Sequence, residues 1–187
     1  MMPCNPAPEE APSYAAPLRL CTSLTFARED NMSNQEPSLF IVTSKTRARL
    51  GIVRTQLQNL FPLLPHLYVT RRETRLFVAA YVDAYATYLR EHGERATLST
   101  ARAFAKTPQA HIITQDVKNR VDTILSTRVV FYPQEVSEFL GVGRSTITDW
   151  YASGLLTAVN PRRSRQARFI PASELRTALE WKLPNVN

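Results

Sequence analysis

Between Tyr132 and Gly154 the sequence leaves the backbone few choices. Pro133 stands where a helix can begin, at the first position, where a missing amide costs nothing. The residues through Leu140 then follow helical spacing. Gly141-Val142-Gly143 is too rich in glycine to continue that helix and too short to be a loop, so a tight turn is expected. Arg144 to Ala152 make a second helix, which Ser153-Gly154 ends. Two short helices across a turn of about three residues form a helix-turn-helix unit.

The apolar positions agree. Val136, Phe139 and Leu140 face inward from the first helix, Val142 plugs the turn, and Ile147, Trp150 and Tyr151 come from the second. Arg144, Ser145, Thr146, Thr148 and Asp149 are left on the outer face and leading end. Short polar side chains and one arginine suit base edges and phosphates, and a helix amino end itself attracts phosphate.

A hairpin is expected next. Leu155 to Val159 reads as a short strand, Asn160 to Gln166 as a loop, and Ala167 to Ile170 as the returning strand. Arg162, Arg163 and Arg165 crowd the loop and Arg168 follows on the return, a concentration of guanidinium groups suited to phosphate or minor-groove contact. Pro171 to Trp181 reads as a third helix, with Leu175, Leu179 and Trp181 closing the core beneath the hairpin.

The run Tyr-Pro-x-Glu-Val-x-x-Phe-Leu-Gly-Val-Gly-Arg-Ser-Thr-Ile-x-x-Trp, then Gly-Leu-Leu, the arginine hairpin and Phe-Ile-Pro-Ala-Ser-Glu-Leu, resembles the winged helix-turn-helix module of the excisionase and MerR-like superfamily. The resemblance covers under a third of the chain. It implies that Arg144 to Asp149 enter the major groove and that Arg162 to Gln166 touch the backbone or minor groove. Two positions depart from the pattern. Gly143 replaces a serine-type helix cap, and Asp149 stands where a basic residue is usual. Asp149 either reads a cytosine amino group, holds a neighbouring arginine, or marks a helix that binds DNA less closely.

The rest of the chain is read from periodicity. Six of the 13 prolines fall in the first 37 residues, and residues 1–43 are expected to be a disordered tail. Leu50, Val53, Leu57 and Leu60 predict one helix ended by Pro62 and Pro65, whose apolar stripe serves either a dimer seam or the chain's own core. Thr70-Arg-Arg-Glu73 has the form of a capping box opening a helix that runs through Phe77, Tyr81, Tyr85 and Tyr88 to Gly93. Helical spacing assigns those aromatic rings to the core. Further helices are expected at 99–106 and 114–126, so residues 44–127 read as an all-helical domain for self-association or partner binding. The fold class is therefore mainly α: a helical domain followed by the winged module from residue 128.

Charge separates these segments. Residues 1–43 carry a net −3, residues 44–127 carry +7 and residues 128–187 carry +3, within a total of +7. Lys45, Arg47, Arg49 and Arg54 are placed on the first helix, either as a second, non-specific DNA contact or as a solvated face. Cys4 and Cys21 form no disulfide framework, and His66, His92 and His111 lack ligand spacing, so no metal and no cofactor are expected. No nucleophile–base pair or phosphate loop suggests an enzyme. No apolar run is long enough for a membrane span. With only six residues beyond Trp181, dimerisation through a trailing helix of the MerR kind has no room, so self-association is assigned to residues 44–127.

These readings converge on a cytoplasmic, nucleoid-associated protein whose partner is double-stranded DNA. Its expected role is that of a bacterial or mobile-element transcription regulator. The competing roles are an architectural factor in recombination or plasmid partition, and an antitoxin with a protein partner.

Overall fold

Phe40, Ile41 and Val42 are nearly or partly enclosed, and they form the first strand, β1 (Phe40–Val42). The computed structural model describes residues 38–70, 73–157, 159 and 169–184. Most of the segment expected to be a tail lies outside that range, but its last residues do not: β1 is an edge of a four-stranded sheet. A strand of three apolar residues carries too little periodicity to stand out beside a proline-rich stretch.

The helix expected across Leu50–Leu60 is two helices. Gly51 takes a left-handed φ of 64° and ends α1 (Thr43–Leu50), and α2 (Arg54–Leu60) starts afresh. Leu57 and Leu60 are buried within the chain's own core, whereas Val53 is 57% exposed. A 3₁₀ turn (Phe61–Leu63) containing Pro62 follows.

The capping box at Thr70–Glu73 does not open a helix. β2 (His66–Val69) and β3 (Thr74–Val78) form an antiparallel hairpin there, and Glu73 has a positive φ of 50° between them. Helix α3 (Ala79–Glu91) begins only after β3. The apolar residues of β3 are buried on both faces, so their pattern runs into that of the helix without a visible change of period. Residues 44–127 are therefore not all-helical. Beyond α3, the expected helices are present as α4 (Leu98–Ala105) and α5 (Pro108–Thr127), the latter longer than its periodicity suggested. Tyr81, Tyr85 and Tyr88 pack around Phe104 with ring centroids 5.1, 5.3 and 5.4 Å away, the core role expected of the aromatic stripe.

The second half gives β4 (Val130–Phe131), α6 (Pro133–Leu140), α7 (Arg144–Ala152), β5 (Ile170–Pro171), α8 (Ala172–Ala178) and β6 (Leu179–Lys182). The helix expected to reach Trp181 stops at Ala178, and its last residues pair with β2 instead. The large sheet has the order β1-β3-β2-β6, all antiparallel, and β4 pairs with β5 separately.

That last pairing changes the domain organisation. Because β6 joins β2, the segments 44–127 and 128–187 share one sheet, and a single cluster of buried residues runs from Phe40 to Ala178. Gln35–Asn187 is one compact unit. The molecule is mainly helical around a small antiparallel sheet. Among the described residues, no helix is long and apolar enough to cross a membrane.

Candidate nucleic-acid interface

Helices α6 and α7 meet across the turn Gly141–Gly143. Gly141 adopts φ 65°, its amide donates to the Glu138 carbonyl at 3.3 Å, and the Val142 amide donates to that of Ser137 at 3.1 Å. The buried Ser137 hydroxyl closes the turn by donating to the Val142 carbonyl at 2.7 Å. Tyr132 precedes Pro133, and its amide donates to the Glu135 carboxylate at 2.8 Å, which fixes the start of α6. Gly143 caps α7 without a side-chain acceptor, as its identity requires.

The inner face is as the spacing indicated. Val136, Leu140, Val142, Ile147 and Trp150 are buried, and Phe139 and Tyr151 are half-buried. Arg144, Ser145, Thr148 and Asp149 are exposed on the outer face of α7, and Thr146 is half-buried at its leading end. Thr148 donates its hydroxyl to the Arg144 carbonyl at 3.1 Å, which leaves its oxygen as an outward acceptor.

Beyond α7, Leu155 and Leu156 are buried, and the amides of both donate to the Trp150 carbonyl. Val159 and Phe169 then exchange two backbone hydrogen bonds of 2.9 and 3.1 Å, so the chain leaves and returns as an antiparallel pair. The Phe169 ring lies 4.8 Å from that of Tyr132, tying this pair to the start of α6. Arg162, Arg163, Arg165 and Arg168 lie outside the described residues.

Two hollows border the outer face of α7. One, about 410 Å³, is lined by Tyr132, Pro133, Gln134, Arg144 and Thr148, so the first turn of α6 shares a surface with α7. The other, about 880 Å³, lies at the α7 amino end, where Gly143 and Thr146 meet Lys45 of α1, Arg120 of α5 and Arg128 after α5. Arg128 is held by Glu135 at 2.6 Å. Lys45, Arg120 and Arg128 thus border the end of α7 where helix amides are unsatisfied, together with the carboxylates Glu135 and Glu138.

The four cations assigned to the first helix are not one stripe. Lys45 lines the large hollow. Arg47 is half-buried with its Nε enclosed, and Arg49 binds Asp83 at 2.5 Å. Arg54 opens α2 rather than lying on α1. Arg120, Arg128 and Gln134 carry no sequence signal of this kind. Each lies at ordinary helical or loop spacing, and only the packing of α5 and α6 around α7 brings them to the site.

No family model, curated protein or solved structure matches the chain.

Proposed function

We propose that the protein binds duplex DNA in a sequence-specific manner and acts as a transcription regulator. In this reading α6, α7 and the paired residues Val159 and Phe169 belong to a winged helix-turn-helix. The observation that carries it is the two-faced α7. Ile147 and Trp150 anchor the helix in the core, while Arg144, Ser145, Thr148 and Asp149 stand outward. Its amino end opens on a hollow bordered by Lys45, Arg120 and Arg128. A helix held rigidly from behind and polar in front is what a major groove accepts.

Arg144 reads a base edge in this account, and the Lys45 side of the hollow receives a flanking phosphate. The arginines of the hairpin loop supply backbone or minor-groove contact. The partial burial of Arg47 and the ion pair of Arg49 with Asp83 disfavour an independent basic stripe that would coat DNA, so the regulator reading is preferred to the architectural one. The experiment is selection of bound duplexes from a random pool by the full chain. A regulator enriches a defined sequence, whereas a coating protein binds the pool without enrichment.

A further inference from the structure

The sheet borders a second hollow on its other face. The register sets His66 opposite Phe77 and Lys182, and Tyr68 opposite Arg75 and Glu180, so these side chains share one face. Phe40 belongs to the opposite face, where it packs on Phe139 of α6 at 6.0 Å. A hollow of about 440 Å³ opens on the first face, lined by Phe61, Pro62, His66, Tyr68, Arg75 and Lys182 among others. That volume lies within the usual range for small-ligand pockets.

We propose that this hollow binds a small aromatic carboxylate, with the carboxylate on Arg75 and the ring against the apolar wall. The Arg75 guanidinium lies 4.4 Å from the centre of the Phe61 ring and 5.5 Å from that of Tyr68. Two rings therefore flank it, and it makes no hydrogen bond or ion pair with any described residue. A guanidinium offers its N–H edge as a fork, and a planar carboxylate matches that fork with two hydrogen bonds.

The charge balance selects a monoanion. Lys182 adds a second cation, but its ammonium is already held by Glu180 at 2.5 Å. Arg75, Lys182 and Glu180 together leave one net positive charge, too little for a phosphate dianion. The ring is taken by Phe61, Pro62, Tyr68 and Leu183, which form the apolar side of the hollow. His66 does not compete. Its Nδ1 donates to the Leu64 carbonyl at 2.8 Å, and burial lowers its pKa, so at neutral pH it is an uncharged wall.

The test is calorimetric titration of the full chain with benzoate, acetate and inorganic phosphate at about pH 7.5, above the ordinary histidine range. Benzoate is expected to bind one-to-one with a dissociation constant on the order of millimolar or tighter, and acetate at least about tenfold more weakly for want of a ring. Arg75→Gln should weaken benzoate about tenfold or more, and Lys182→Gln several-fold. Absence of saturable benzoate binding, tighter binding of phosphate than of benzoate, or unchanged affinity in Arg75→Gln overturns the proposal. If Arg75→Gln loses its cooperative thermal transition, Lys182→Gln decides: unchanged benzoate affinity then overturns it.

Discussion

Gly141 lies so close to Phe40 that a β-carbon built on the glycine would sit 2.1 Å from the Phe40 carbonyl oxygen. The turn between α6 and α7 is therefore seated on the backbone of β1, a strand about a hundred residues earlier. The Phe40 ring adds a second tie to the same region, meeting Phe139 of α6 and Trp181 of β6 at 6.0 and 5.9 Å.

Gly141→Ala should accordingly be among the most damaging substitutions in the chain. It adds a left-handed backbone penalty of about 1–2 kcal/mol and a clash with main-chain atoms that cannot rotate away. A loss above about 3 kcal/mol in urea denaturation is expected. Gly51→Ala is the control: its φ of 64° is equivalent, but nothing lies within 4 Å of the added carbon. It should cost only the backbone penalty, about 1–2 kcal/mol.

Phe40 makes a complementary prediction. Its side chain is fully buried, so Phe40→Ala should cost about 3–5 kcal/mol. A chain beginning at Ser44 removes β1 altogether and should lose cooperative unfolding, whereas one beginning at Ser38 should keep it. Residues 128–187 alone would leave β6 without β2 and Gly141 without its seat. That fragment should show no cooperative thermal transition by circular dichroism.

His66 gives a pH dependence. It is 6% exposed, and burial is the main cause of its lowered pKa, with Arg75 and Lys182 adding repulsion. The unfolded chain therefore takes up a proton below about pH 6.5 before the folded one does, so His66 contributes a loss of stability as pH falls through that value. His66→Gln should flatten the decline in stability between about pH 7 and pH 5 relative to the parent chain. Equal slopes for the two chains in denaturation series would refute this.

The hollow at the α7 amino end predicts unequal lysine and arginine effects. Lys45→Gln should reduce the slope of log affinity against log salt on duplex DNA by about 0.9 for one lost phosphate contact. Arg49→Gln should leave that slope nearly unchanged, because Asp83 already occupies the guanidinium. Fluorescence anisotropy over a salt series measures both.

The sequence showed the helix pair because each of its parts is locally determined: Pro133 at a helix start, Gly141 at a left-handed turn, Ile147 and Trp150 at helical spacing. The sheet was hidden for the opposite reason. β1, β2 and β6 are three or four residues long, and the pairings of β1 with β3 and of β6 with β2 join segments far apart in sequence. A strand such as Leu179–Lys182 has no local mark that separates it from the last turn of α8. Lys45 was visible as a charge on α1, but its place beside Gly143 follows only from the seating of the turn on β1.

The most direct test of the account is the affinity of the full chain for the duplex it selects from a random pool, measured beside Arg144→Ala. The parent chain should enrich one sequence and bind it in the range typical of specific regulators, about 10⁻⁸ M or tighter. Arg144→Ala should lose about 1–3 kcal/mol on that duplex, with relaxed preference at one base pair and little change on unrelated DNA. A pool that shows no enrichment, or an Arg144→Ala protein that binds the selected duplex as tightly as the parent, would contradict the assignment of α7 as the DNA-reading helix.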